Sequence, residues 1–482
     1  MAEVNHDVMT LAVSAGSADK YTLLLLVAGV GAAGGLLLRR DARLIACLWL
    51  ASVCFIPIWI GVTYSVYVPA VTLFAFVSLV ALVPVFPRHV GPADYGAAFL
   101  LVACFLPVLT GGATRATVLD LLLQAPFAFA LGRLLPLKVS LDWLYRCMSY
   151  FFGVVSLLAL IEFLTHSDPF LRLSQPNALF HTWGTLQARG GIVRAEGAFG
   201  HSIALGSSVA MIIPLTLTSS LRSRTKAALV GLMLGCTVVS FSRTAMLAGL
   251  LGVVLSVVFL RKGLSVRVRV TVIAVCGAVA IALVPLVSSV FATAGSEATG
   301  SAAYRGRLTS LIPDMAVLGT SPAAHRTPAG DLYMGNFRSI DSALILFGLT
   351  YGWLPLLLAA MLLAGAIVVV LARHGSAPTI AIVAQLPALA TVALITQYGV
   401  FVWFIAGLAL YAQAETIHTT GPPPDAADYP QRNPGDALIL ATAAYDGFSS
   451  LESQPIGQSR ACPIRDLGRL KSSARRRDRG AS

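Results

Sequence analysis

The sequence predicts an all-α fold, a polytopic inner-membrane bundle of about 12–13 transmembrane helices with two long outer loops. Three observations predict it. The 482 residues are 57% hydrophobic and only 12% charged, against about 25% charged in a soluble domain. The apolar residues fall in continuous runs of spanning length rather than alternating segments. Such runs fit helices, which satisfy their own backbone in lipid, and exclude an outer-membrane barrel. Finally, Lys and Arg concentrate in alternate connections between the runs.

Spans are expected near 21–38, 44–60, 68–86, 95–110, 117–135 and 147–164. Further spans follow near 203–218, 227–241, 245–260, 270–290, 341–371 and 379–396, with a last one near 398–412. The count reaches thirteen if 379–412 is a hairpin broken at "TQYG" (396–399). The basic connections are "RRDAR" (39–43), "PRH" (87–89), "GRLLPLKVSLDWLYR" (132–146), "LRSRTK" (221–226), "RKGLSVRVR" (261–269) and "ARH" (372–374). They hold fifteen Lys and Arg, and the tail after 413 holds nine more, together 24 of the 34 in the chain. Positive loops stay in the cytoplasm, so the N-terminus is expected outside and the tail inside. The formal net charge of +12 is largely this bias and gives no reason to expect nucleic acid as a partner.

The N-terminal "MAEVNHDVMTLAVSAGSADK" is mildly acidic, and no A-x-A-like site closes the first span. An uncleaved helix is expected there rather than a signal peptide. Gly31 and Gly35 have the GxxxG spacing that permits close helix packing. Of the seven cysteines, six lie in or beside spans, and no CxxC occurs. They read as small packing residues. The eight histidines lack metal-ligand spacing, so neither a metal nor a cofactor is expected.

Residues 1–412 are expected to form one transmembrane domain, broken by outer loops at about 165–200 and 291–340. The first loop mixes aromatics, Arg and Pro, which suits an ordered surface. Residues 413–482, with "GPPPDAADYPQRNPGD" and "RLKSSARRRDRG", have the composition of a disordered tail whose basic end can meet anionic lipid.

Charged residues at helix depth are costly and normally face a cavity or a partner. Four outer stretches qualify: "VRAEGAFGHS" (193–202), "VVSFSRTAML" (238–247), "SAAYRGRL" (301–308) and "FRSIDSALILFGLTYG" (337–352). Arg243 sits between two apolar runs with only "SFSRTA" to turn the chain. It is either a snorkelling interfacial Arg or a guanidinium holding a phosphate or carboxylate. Arg194 precedes a span whose free N–H groups attract anions, and Glu196 could instead neutralise it locally. His201 is either a capping or core histidine or a base. Tyr304, Arg305 and Arg307 form either a solvated helix face or part of a site. Asp341 could cap the helix that begins "SALILFGL" or face a substrate.

The motifs run in order as R-x-E-G-x-F-G-H-S-x-x-L-G (194–206), S-x-S-R-T (240–244), Y-R-G-R (304–307) and S-I-D-S-x-L-I-L-F-G-L-T-Y-G (339–352). From about Ile192 to Leu371 this order resembles the O-antigen ligase/polymerase family of bacterial envelope enzymes. The resemblance implies a many-span, metal-independent glycosyltransferase. Such an enzyme moves glycan from an undecaprenyl diphosphate carrier to an acceptor hydroxyl on the outer face of the membrane. It further implies that Arg194, Arg243, and Arg305 or Arg307 hold the diphosphate. Ligase members carry a His-Asn pair where this chain has Ile340-Asp341, so the chain resembles polymerase-type members more closely. Asp341 is then the first candidate for acceptor binding or general base, with His201 and Glu196 behind it. Arg305, Arg307, Arg338, His201 and Glu196 are the expected substrate-binding residues, with Asp341, Arg243 and Arg194 catalytic. The expected partners are an undecaprenyl-diphosphate-linked glycan, an acceptor glycan, membrane lipid and other polysaccharide-assembly proteins. A transporter or lipid-linked glycan flippase is the second class, but the notable charges gather at one face instead of near the bilayer midplane.

Overall fold

A computed structural model describes residues 41–63, 67–82, 90–189, 191–260, 266–293, 303–304, 306–326 and 332–420. The protein is mostly helical, with 74% helix and few strands. In chain order the first helices are α1 (Ala42–Phe55), α2 (Ala70–Leu82), α3 (Pro92–Leu109), α4 (Arg115–Gln124), α5 (Pro126–Leu134) and α6 (Leu141–Thr165). A short helix α7 (Ala178–Trp183) precedes α8 (Ser202–Thr218), α9 (Ser223–Val239), α10 (Arg243–Phe259) and α11 (Val266–Thr293). The last are α12 (Ala343–Tyr351), α13 (Trp353–Leu371), α14 (Ala377–Ala384), α15 (Leu386–Thr391) and α16 (Thr396–Thr420). Three antiparallel hairpins pair β1 (Gly61–Thr63) with β2 (Tyr67–Pro69), β3 (Ala188–Arg189) with β4 (Ile192–Val193), and β5 (Ala324–Arg326) with β6 (Leu332–Met334).

Among the described helices, five segments are long and apolar enough to cross a membrane: Pro92–Leu109, Leu119–Leu137, Leu141–Thr165, Trp353–Leu371 and Thr396–Thr416. Five more apolar segments are shorter, among them α8 and α10. The expected span at 21–38 and the Gly31/Gly35 pair lie outside the described residues, as does most of the expected tail. Residues 413–420, placed in that tail by composition, instead continue α16. The expected single span at 341–371 is two helices. Gly352 between them has φ 98°, a left-handed backbone open chiefly to glycine, and this breaks the run. The expected span at 379–396 is likewise divided, into α14 and α15, with the chain extended at Val392 before α16 begins.

The helices alternate between two ends. One is basic. There Asp142 at the start of α6 accepts bonds from the Ser220 N–H and hydroxyl at 2.6 and 2.7 Å. Lys226 Nζ donates to the Leu217 carbonyl at 2.8 Å, satisfying a free acceptor at the end of α8. Arg133 and Asp94 form a two-pronged pair at 2.7 and 3.1 Å that ties α5 to the start of α3. The Arg43 guanidinium lies 5.6 Å from the Trp143 ring, joining α1 to α6. The other end collects the loops that carry the sequence motifs.

Between the ends lies an aromatic core. Trp49 of α1 sits 4.2 Å from Phe404 of α16, and Phe152 of α6 sits 4.9 Å from Phe401, between ring centroids. Phe199 of the 194–206 motif joins this stack at 6.5 Å from Phe152 and is fully buried. Helix α8 runs through the middle, with nearly every side chain buried against α6, α9, α10, α14 and α16.

Helices α5 and α16 approach backbone to backbone. A Cβ on Gly132 would collide with the Phe404 carbonyl, and one on Gly407 with the Phe129 carbonyl. Small residues allow such contact in membranes. Gly407→Val is therefore expected to lower the thermal midpoint in detergent sharply or prevent recovery of folded protein. Gly365→Val, where a Cβ meets nothing within 4 Å, should leave the midpoint near wild type.

Candidate functional site

The described residues of the 165–200 loop are held by polar side chains. Asn177 Nδ2 donates to the Trp59 carbonyl, and Trp59 Nε1 donates to the Leu173 carbonyl, both at 2.8 Å. Gln397 at the start of α16 donates to the carbonyls of Ile56 and Ala198 at 2.8 Å each. Deeper in, the Glu162 carboxyl group at the end of α6 accepts the N–H groups of Glu196 and Gly197 at 2.9 Å each. This bond pair turns the chain into "GAFG", so that Phe199 enters the aromatic core.

Arg194 and Glu196 are both buried. Arg194 Nε donates to the Ser240 carbonyl at 2.9 Å, and the Ala195 N–H donates to Val239 O at 3.2 Å. The arginine is thereby fixed against the end of α9 and the S-F-S-R turn. Glu196 Oε1 accepts the Gln187 N–H at 3.0 Å. Burial raises Glu196 to about 8, although the Gln187 N–H and the Arg194 charge pull it down. Burial likewise lifts neighbouring Asp168 to about 6, opposed by the Phe170 N–H.

His201 takes the first of the two roles open to it. Its Nδ1 accepts the Ile203 N–H at 3.1 Å as the N-cap of α8, and its ring meets Trp183 edge-on at 5.6 Å. Burial, helped by the Arg194 charge, lowers it to about 3. A neutral imidazole held this far below neutrality is a weak proton acceptor, so capping is the role its geometry fits.

Arg243 is exposed at the first position of α10, and the cap is Ser242, whose hydroxyl accepts the Ala245 N–H at 3.2 Å. Phe241 before it has φ 44°, unusual for a bulky residue, and is held there by complete burial and by Phe163 at 5.8 Å. Two bonds link this turn to distant sequence. Thr244 and Thr391 hydroxyls meet at 3.3 Å, and the Ala343 N–H donates to Val392 O at 2.9 Å. The starts of α10 and α12 therefore meet at the end of α15, which brings Arg243 and Asp341 to one junction.

Asp341 is not the N-cap of α12. Ser342 is, because its extended backbone aims the hydroxyl at the Ile345 N–H, 3.3 Å away. Asp341 lies one residue outside the helix, half-buried, and accepts from Ser339 Oγ at 3.1 Å. The Tyr304 hydroxyl donates to the Ser339 carbonyl. The charges of Asp341 and Arg307 both act on that phenol, whose pKa is raised mainly by desolvation. Arg307 and Arg338 are exposed, and Arg305 lies outside the described residues.

The predicted residues thus form two groups at one end of the bundle, Arg194, Glu196 and His201 in one and Arg307 and Asp341 in the other, with the Arg243 turn bonded to the first and reaching the second through the end of α15. Reading the sequence missed Glu162, Asp168, Gln397 and the Ser240 carbonyl. Glu162 had a usable signal, a lone acid in an apolar run. Among the described residues, no group of three His, Cys, Asp or Glu is placed to hold a metal ion. No protein-family model matches this chain, and no curated protein matches it.

Glu196 makes a testable pH claim. Its pKa is raised on folding, so its contribution to stability is complete below the ordinary Glu value and is lost as pH rises through about 8. Asp168 acts lower, up to about 6. The wild-type thermal midpoint is expected to fall between pH 6 and 8. Glu196→Gln, which keeps the acceptor for Gln187 but cannot ionise, should make that fall shallower. An equally steep fall in the variant would refute the assignment.

Proposed function

We propose that the protein is a membrane glycosyltransferase resembling the O-antigen ligase/polymerase family, and polymerase-like in its S-I-D-S motif. In this reading it is a bundle of about a dozen spanning helices in the cell membrane. The basic end faces the cytoplasm by the positive-inside rule, and the motif-bearing end faces outward. It transfers or polymerises glycan units from an undecaprenyl diphosphate carrier onto an acceptor sugar hydroxyl, in synthesis of a surface or exported polysaccharide. Other polysaccharide-assembly proteins are its natural partners.

The observation that carries the reading is the bonded junction at that end. Arg194 is tethered to the turn that begins α10, and the Thr244–Thr391 and Ala343–Val392 bonds bring the Asp341 segment to the same turn. Arg243 itself is a cation in the first turn of a helix with no acid there. That placement opposes the helix dipole and costs roughly 0.3–1 kcal/mol. A bound anion reverses the sign of the effect, because guanidinium and free N–H groups then converge on one diphosphate.

In the reaction, the bond from the anomeric carbon to the carrier's phosphate oxygen breaks and negative charge collects on the departing diphosphate. Arg243, with Arg194 behind it and Arg307 from the opposite loop, stabilises that charge. The acceptor oxygen forms the new bond to the anomeric carbon, and its proton passes to the Asp341 carboxylate. Arg194 has a second task, since its bond to Ser240 also positions the turn.

Arg243→Ala is expected to abolish polymer in intact cells while protein level and thermal midpoint stay near wild type. Arg243→Lys should rescue poorly, because the planar fork is lost. Asp341→Asn should cut the rate in reconstituted vesicles by about 100-fold or more with carrier binding retained. Polymer of wild-type length in Arg243→Ala would overturn the proposal. Movement of lipid-linked units across the vesicle without chain growth would favour the flippase instead.

A further inference from the structure

Two of the cysteines meet. Cys47 of α1 and Cys147 of α6 stand 100 residues apart in sequence, and their sulfurs lie 3.7 Å from each other. Both residues are half-buried, whereas Cys54, Cys104 and Cys236 are buried outright. The contact is part of a register. The Arg43 guanidinium lies 5.6 Å from the Trp143 ring, and Cys47 and Cys147 come four residues further along each helix. Four residues make about one helical turn, so α1 and α6 run in the same direction and stack the two contacts in succession. Farther along, Phe55 and Phe151 meet at 6.0 Å between ring centroids. The thiol pair is thus held between a cation–aromatic contact on one side and an aromatic pair on the other.

Such a pair has a different oxidation chemistry from a single thiol. A lone cysteine taken to sulfenic acid goes on to the irreversible sulfinic and sulfonic acids unless a second thiol intercepts it. Here the second sulfur is already 3.7 Å away, and the flanking contacts keep it there, so interception is intramolecular. A disulfide needs the sulfurs to close to about 2.05 Å, a displacement of the order that side-chain rotation provides. Both helix starts are fixed. Asp41 accepts the Arg43 and Leu44 N–H groups at 2.9 and 3.2 Å, and Ser140 accepts the Trp143 N–H at 3.3 Å. Each cysteine lies about 10 Å along its helix from that cap. Helix α6 is of spanning length and α1 is one of the shorter apolar segments, so an oxidant dissolved in lipid suits the site.

We propose that Cys47 and Cys147 form a redox modification site, in which an organic hydroperoxide of the kind that forms on lipid acyl chains converts the two thiols into a disulfide clamping α1 to α6. One sulfur attacks the terminal peroxide oxygen and keeps that hydroxyl as a sulfenic acid. The O–O bond breaks, and the other oxygen leaves with the thiol proton as an alcohol. The second sulfur then attacks the sulfenic sulfur. The S–S bond forms, the S–O bond breaks, and the hydroxyl departs with the second thiol proton as water. The two cysteines lose two electrons in all, and one hydroperoxide gains them. In the proposed topology this end of the bundle is cytoplasmic, where thiols are held reduced, so the dithiol is the resting state and the clamp answers oxidised lipid. The site lies toward the opposite end from the arginine junction and does not depend on the transfer reading.

The test exposes the full-length protein in phosphatidylcholine nanodiscs to a phosphatidylcholine hydroperoxide. Remaining thiols are then alkylated after unfolding, and the peptides are mapped by mass spectrometry. Most of the peptides carrying Cys47 and Cys147 should be lost to one linked species. Dithiothreitol added before alkylation should return both to the alkylated form. Cys47→Ser and Cys147→Ser should each lose the link, and the cysteine that attacks first should end as sulfinic acid in the variant that keeps it, beyond recovery by dithiothreitol. Cys54→Ser should link as the wild type does. Wild-type protein in which both peptides stay alkylated, or in which either cysteine runs on to sulfinic acid without linking, would overturn the site. Linkage of Cys147 to Cys54 would do the same. The readout is the bond itself, so it is decided whether or not the protein transfers glycan.

Discussion

A polar loop can be buried on the end of an apolar bundle only if its backbone groups find partners there, and Glu162 is the residue that meets this demand. Its carboxyl group takes two consecutive N–H groups, those of Glu196 and Gly197. An unsatisfied buried amide costs about 1–3 kcal/mol, so the pair decides whether the loop packs or stays in solvent. Once it packs, Phe199 reaches the aromatic core, Arg194 reaches the Ser240 carbonyl, and His201 begins α8. Every feature of the candidate site on that side follows from the same turn.

The junction on the other side is built differently. It relies on helix ends meeting through Thr244, Thr391 and Val392, and leaves Arg243 and Asp341 more open than Arg194. This division suits the proposed chemistry. In that reading the buried arginine holds the frame, and the more exposed arginine and carboxylate are the ones placed to meet a substrate.

Hydropathy made most of the helices legible, because long apolar runs have few other stable forms in lipid. It misjudged where a run breaks internally. Gly352 and the extended Val392 interrupt stretches that stay apolar throughout, so composition carries no mark of the break. The loop arginines were legible as costly charges beside spans. Glu162 was hidden for the opposite reason, since one acid barely lowers the mean of a strongly apolar window. Asp341 shows the limit of motif reading. An Asp before an apolar run has the pattern of a cap, yet Ser342 one residue later makes the bond, and only backbone direction decides between them.

The claim on which the rest stands is that the 195–199 backbone belongs to the packed bundle and is held by Glu162. Hydrogen–deuterium exchange on the protein in nanodiscs tests it directly. The account expects the Glu196 and Gly197 amides to exchange as slowly as those in the middle of α8, and Glu162→Leu to speed both strongly while α8 stays protected. Exchange at the rate of an open loop in the wild-type protein, or unchanged protection in Glu162→Leu, would contradict it.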